Sequence, residues 1–301
     1  MSDNIKTIRR FNQQYKSFSF SELMKKADDE YLELVVEMDS QGNVVRESKF
    51  SPHGELEERS EYVYSKGGKL LEHTLLYAID DVTERKAYTR DDQDRLLSEV
   101  KLYGEDAGER MEYHYGAGDK VNAIVRHDEE GELDYKEEIT YDEKGELASR
   151  KKYHREGSLI YSLEVKRDVG ATIEEHEFEL DGTLKAVTIT AVDADGKEIS
   201  SVQQNDKGKL ISAVYSRYDD RGNLLERNYK DFYSKTIRYE YDEANRMLTQ
   251  ELFDSTGLLL RKNIYEYDEA GQLAVEQVFE IDTSRGGRDK HYGNRYEYDR
   301  F

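Results

Sequence analysis

The chain contains no cysteine and no tryptophan, and one proline in 301 residues. Lack of cysteine excludes disulfides, thiolate nucleophiles and thiolate metal ligands, and leaves the redox compartment open. The lone proline, Pro52, stands beside His53 and Gly54 in a turn, where a missing N–H costs nothing. No segment is long and apolar enough to cross a bilayer as a helix, and Met1 to Phe20 holds no apolar run of signal-peptide length. A cytoplasmic location is the expectation, with signal-independent export as the other route. The seven histidines form no HExxH or His-x-His pair, and no metal site is expected. Nucleophile-elbow, P-loop and dinucleotide-binding glycine patterns are missing too, and neither a cofactor nor catalysis is expected. Asp193-Ala194-Asp195-Gly196 lacks the remaining oxygen ligands of a calcium loop and reads as a bare turn.

Acidic charge is plentiful. Sixty-six acidic against 45 basic residues leave a formal charge of −21, which repels nucleic acid and anionic lipid and favours a basic protein partner. Charged residues make up 37% and the hydrophobic set 36%, too little apolar material for a sheet buried on both faces. With 24 tyrosines and a strong period, the chain is not read as disordered.

The period comes from one unit, clearest in Tyr265-Glu266-Tyr267-Asp268-Glu269-Ala270-Gly271-Gln272-Leu273. Asp at the start of the turn accepts backbone N–H bonds from within it, and Gly takes the positive φ that closes the loop with a bulge. In the copy Tyr141 to Leu147 the first cross-strand pair outward is Tyr141 with Leu147. Copies centre on Gly42, Gly68, Asp94, Asp119, Gly145, Ala171, Gly196, Gly222, Asn245 and Gly271, mostly 26 residues apart. At position 171 the neighbouring Gly170 can supply the turn. A second series runs between them through Gly54, Gly108, Gly131, Gly157, Gly182, Gly208 and Gly257, with degenerate copies near Val82 and Ser234. Two turns per repeat, joined by strands of about eight residues, make a β-meander.

Strict alternation assigns the faces. Leu133, Tyr135, Glu137, Ile139 and Tyr141 share one face, and Asp134, Lys136, Glu138 and Thr140 take the other. On the return strands the inward residues read Leu147, Ser149, Lys151 and Tyr153, or Leu273, Val275 and Phe279, or Met247, Thr249 and Phe253. Leu184 to Val192 and Leu258 to Ile264 are apolar on both faces and are expected where the sheet is covered. Tyr64, Tyr115, Tyr141, Tyr218, Tyr241 and Tyr267 should form a ladder, the candidate binding surface.

The pattern Tyr-x-Tyr-Asp-x-x-Gly-x-Leu, in Tyr239 to Met247 (with Asn245) and Tyr265 to Leu273, resembles the YD repeat of Rhs and teneurin-type proteins over most of residues 31–299. The resemblance implies hairpins wound into a spiral or shell, with binding or encapsulation as the theme. This array is short for a toxin-enclosing shell, and its period is a paired 26 residues.

The expected fold is all-β: tandem 26-residue double-strand repeats in one antiparallel meander of about 20 strands, curled into a superhelical or barrel-like single sheet. Residues 1–30 are expected to be a polar, flexible segment with a capping helix from Ser21 to Glu30, and 31–301 a continuous array ending in an edge strand at Tyr296 to Asp299. Lys290, Arg295 and Arg300 would guard that edge. The expected function is non-enzymatic: a binding scaffold engaging a basic protein, as an immunity or antitoxin-type partner does. The alternative is a carbohydrate-binding or cell-envelope protein using the tyrosine ladder.

Overall fold

The computed structural model describes residues 5–16, 27–103, 106–116, 118–166, 172–231, 233–283 and 288–301. Every regular element among them is a strand, and the 22 strands form an antiparallel meander. They are β1 (Ile5–Tyr15), β2 (Asp29–Met38), β3 (Val44–Phe50), β4 (Leu56–Tyr64), β5 (Leu70–Tyr77), β6 (Val82–Arg90), β7 (Leu96–Tyr103) and β8 (Asp106–Tyr115). Then follow β9 (Val121–His127), β10 (Leu133–Tyr141), β11 (Leu147–His154), β12 (Leu159–Lys166), β13 (Thr172–Phe178), β14 (Leu184–Val192) and β15 (Glu198–Asn205). The last are β16 (Leu210–Tyr218), β17 (Leu224–Lys230), β18 (Lys235–Tyr241), β19 (Met247–Asp254), β20 (Leu259–Tyr267), β21 (Leu273–Glu280) and β22 (Lys290–Arg300).

Two compact units divide the chain. The first comprises Met1–Thr83, Tyr218–Arg227 and Tyr233–Phe301; the second comprises Glu84–Arg217 and Asn228–Phe232. In the first, antiparallel pairing runs from β18 through β22 to β1 and on to β5. In the second it runs from β6 to β16 in chain order.

The N-terminal expectation fails. Ile5–Tyr15 is a strand paired with both β2 and β22, and β2 begins at Asp29, inside the span given to the capping helix. The rest of that helix, residues 21–26, lies outside the described residues. The C-terminal strand is no edge either, since β21 and β1 flank β22. Arg295, expected to guard an edge, instead binds Glu30 at 2.7 Å and lies 4.2 Å from the Phe11 ring centre.

The turns follow the sequence reading closely. In the copy at Gly145, Gly145 N–H donates to Asp142 O (2.8 Å), Asp142 N–H to Glu146 O (2.8 Å), and Asp142 Oδ1 accepts from the N–H groups of Lys144 (2.9 Å) and Glu146 (2.8 Å). Gly145 has φ of +77°, and the expected substitutes Asp94 and Asn245 have +65° and +62°. Two positions move. Gly118, not Asp119, holds the positive φ of its turn, and Gly108 lies within β8. Ala171 and Gly170 lie outside the described residues. Near Val82 the positive φ belongs to Asp81.

Face assignment is where alternation misleads. After most of the described turns the second strand carries one unpaired residue: Tyr141 pairs with Leu147, but Thr140 pairs with Ser149, leaving Ala148 as a bulge. The same break falls at Leu248 and Ala274. A one-residue slip exchanges the two faces of all that follows. Ser149, Lys151 and Tyr153 therefore sit opposite Thr140, Glu138 and Lys136 on the exposed side, while Arg150, Lys152 and His154 share the tyrosine face. Val275 and Phe279 likewise leave that face, where Glu276 and Val278 take their place. Bulge residues Leu97, Ile199, Ile211 and Leu248 are each more than a third exposed. Leu184 to Val192 is not covered on its second face, where Ile189 is 40% exposed.

Burial is thin and partly polar. Val278 and Phe279, neighbours pointing to opposite faces of β21, are 2% and 0% exposed. Phe279 stacks on His291 (4.1 Å between ring centres), which stacks on Tyr15 (3.8 Å). At mid-strand, Glu137 and Asn263 are buried on the tyrosine face, Glu137 being one of the polar interruptions of the pattern, while Ser48, Ser98, Ser162 and Gln277 are buried on the opposite face.

Candidate functional site

The tyrosine ladder has a specific geometry. In the first unit Tyr64 Oη donates to Val44 O (2.7 Å) and Tyr267 Oη to Met247 O (2.8 Å). In the second, Tyr115 donates to Leu96 O (2.9 Å) and Tyr141 to Val121 O (2.8 Å). Each acceptor is the first strand residue after the preceding turn of the series, so the phenol ties one repeat to the one before. Tyr298 repeats the bond to Leu273 O at 2.8 Å. Tyr218 and Tyr241 occupy the same last-residue position of β16 and β18.

Cations lie over three of these rings: Arg95 over Tyr115 (4.7 Å), Lys120 over Tyr141 (5.0 Å) and Arg246 over Tyr267 (4.8 Å). Arg95 and Arg246 are in turn held by Nε donation to Asp91 Oδ2 and Asp242 Oδ2, both 2.7 Å. A sugar stacking on these rings has only the other ring face free of a cation.

Sequence reasoning missed a second feature, a polar cleft of about 410 Å³ in the second unit. Its floor is one row of paired residues across five strands: Glu137, Lys152, Tyr161, Glu177 and Ala186. Only the bulges at Ala148 and Ile160 bring Lys152 and Tyr161 into line with Glu137. Glu137, 5% exposed, accepts from Arg150 Nε at 2.6 Å. Tyr161 Oη donates to Glu175 Oε1 at 2.6 Å, and burial followed by this bond pushes the phenol well above its ordinary pKa. Lys185 approaches Glu177 at 3.7 Å. Lys152 Nζ sits 3.5 Å from the Tyr135 ring centre. Ile160 and Phe178 add apolar walls. Such a mixture can hold a small polar ligand by charge and by contact with ring faces. Among the described residues no group of His, Asp or Glu is arranged to hold a metal ion.

No protein-family model matches the sequence, and no curated protein matches it. Solved structures do. A porin-like protein from Bacteroides uniformis aligns over 98% of both chains at 11% identity and a TM-score of 0.35. One from Bacteroides vulgatus covers 89% of this chain and all of its own, at 9% identity and a TM-score of 0.28. The TcdB2-TccC3 structure aligns with 91% of this chain at 10% identity and a TM-score of 0.31, and this chain spans 20% of its length. The cytoplasmic expectation does not stand: the helix-length rule behind it does not apply to a chain whose described elements are all strands, since strands can cross a membrane as a barrel. A lipid-facing strand shows an apolar alternate row. On β10 the exposed row is Lys136, Glu138 and Thr140.

Proposed function

We propose that the chain is a non-enzymatic scaffold of the YD-repeat kind, whose acidic turns engage a basic protein as an immunity or antitoxin-type partner would. One observation supports this most: the turn carboxylates are repeated, half-buried and held ionised. Side-chain and backbone donation by Asn43 lowers the pKa of Asp39, Asn223 does the same for Asp219, and Thr256 with Leu258 does so for Asp254. Many basic residues are already paired with acids along the strands, as Arg46 is with Glu37 and Glu61, or Lys262 with Glu251. The surplus charge is therefore acidic at the turns. The YD reading draws on the phenol-to-carbonyl bonds that give the Tyr of Tyr-Asp a role in joining repeats.

Titration of the protein against an immobilised, strongly basic protein tests the proposal. Raising salt from about 0.1 M to about 1 M shortens the Debye length from about 10 Å to about 3 Å, and binding should fall steeply. Binding indifferent to salt, or none at low salt, would remove the electrostatic basis.

A further inference from the structure

We propose that the cleft across β10 to β14 binds a small carboxylated sugar, a hexuronic acid, with Lys152 as the anchor for its carboxylate. Charge within the cleft carries the inference. Each acid there has its own donor: Glu137 has Arg150, Glu175 has the Tyr161 hydroxyl, and Glu177 has Lys185. Lys152 is the exception. Its ammonium makes a cation–π contact with Tyr135 and, among the described residues, no ion pair with a carboxylate, although Glu137 is its cross-strand neighbour.

The ammonium of Lys152, held by a ring face and not by an acid, lines a space of about 410 Å³, within the size range of small-ligand sites. The other walls indicate the body attached to that carboxylate. Ile160 and the Tyr161 ring offer apolar surface to the C–H side of a pyranose, while Glu177, about half exposed, can accept from its hydroxyls. A bare carboxylate would leave that surface unused; a neutral sugar would leave Lys152 unpaired. This site shares no residue with the tyrosine ladder and does not depend on the acidic turns.

Saturation-transfer difference NMR on the whole chain, with glucuronate, glucose and acetate as separate probes, tests it. Glucuronate should bind, and glucose and acetate should bind at least about tenfold more weakly, the factor expected for one charge-assisted contact. Lys152→Gln should weaken glucuronate by about the same factor, and Lys152→Arg should keep most of the affinity. Lys151→Gln, on the opposite face and paired with Glu138, should change nothing. Glucose or acetate binding as tightly as glucuronate would overturn the proposal, as would no binding of glucuronate to the unaltered chain. Equal loss in the Lys151 and Lys152 variants would overturn the assignment of the anchor.

Discussion

At the scale of the residue, two groups do most to define this chain: the αL residue of each turn and the tyrosines of the more buried face. Gly257 has φ of +85° and open space where a Cβ would stand, so Gly257→Ala isolates the backbone cost. It should lose about 1–2 kcal/mol in urea unfolding, the cost of holding an L-residue in the left-handed region. Asn245→Gly, at φ of +62°, should carry no backbone cost and lose only the exposed hydrogen bond that Asn245 Oδ1 accepts from Asn223 (3.0 Å). Tyr62 shows what burial does to a phenol. Its hydroxyl donates to Glu47 at 2.6 Å, and burial first, then that bond, push its pKa up to about 12. A phenol whose folded pKa exceeds its unfolded value of about 10 contributes stability below that pH. The contribution is lost as pH rises toward about 12. Absorbance of tyrosinate followed through an alkaline titration should show a late-ionising step that Tyr62→Phe removes.

Among the elements, the bulge that follows most turns has the widest consequence. It puts Arg150 and Lys152 on the face of Glu137 and sends Ser149 and Lys151 to the exposed side. Alternation therefore holds from one bulge to the next and not through a whole hairpin. Close packing between strands is tightest at Gly293 of β22, where an added Cβ would run into the Glu276 carbonyl oxygen and come within 3.3 Å of Gln277 Cα, both on β21. Backbone cannot swing aside as a side chain can. Gly293→Ala should cost about 1–3 kcal/mol of stability, the range for overpacking. A urea midpoint unchanged from the unaltered chain would show that the two strands can separate freely there.

For the molecule as a whole, stability is spread over many repeats and little of it is a dry core. The turn carboxylates contribute a chain-wide pH dependence. Asp39, Asp181, Asp219, Asp242 and Asp254 all have lowered folded pKa values. Their contribution is fully present above the unfolded value of about 4 and is lost as pH falls through the folded values. Urea midpoints should thus hold steady from neutral pH down to about 5 and drop below about 4. A midpoint flat through that lower range would remove the hydrogen-bonded turns as the cause.

The sequence by itself determined the repeat, the chemistry of its turns and the all-β class, because Asp and Gly act within five residues and need no distant partner. Even the substitutes Asp94 and Asn245 were legible, since few residues tolerate positive φ. It also foretold polar residues at mid-strand on the buried face, of which Glu137 is one. Tertiary structure decided the rest. A bulge changes strand phase without a mark in the period, so the cleft around Lys152 could not be read from alternation. The pairing of β1 with β22 joins residues nearly the whole chain apart, and Ile5–Tyr15 has no Tyr-Asp signature to announce it. What places it is the unpaired row of N–H and C=O groups that an edge strand would otherwise leave, which β1 satisfies from both sides.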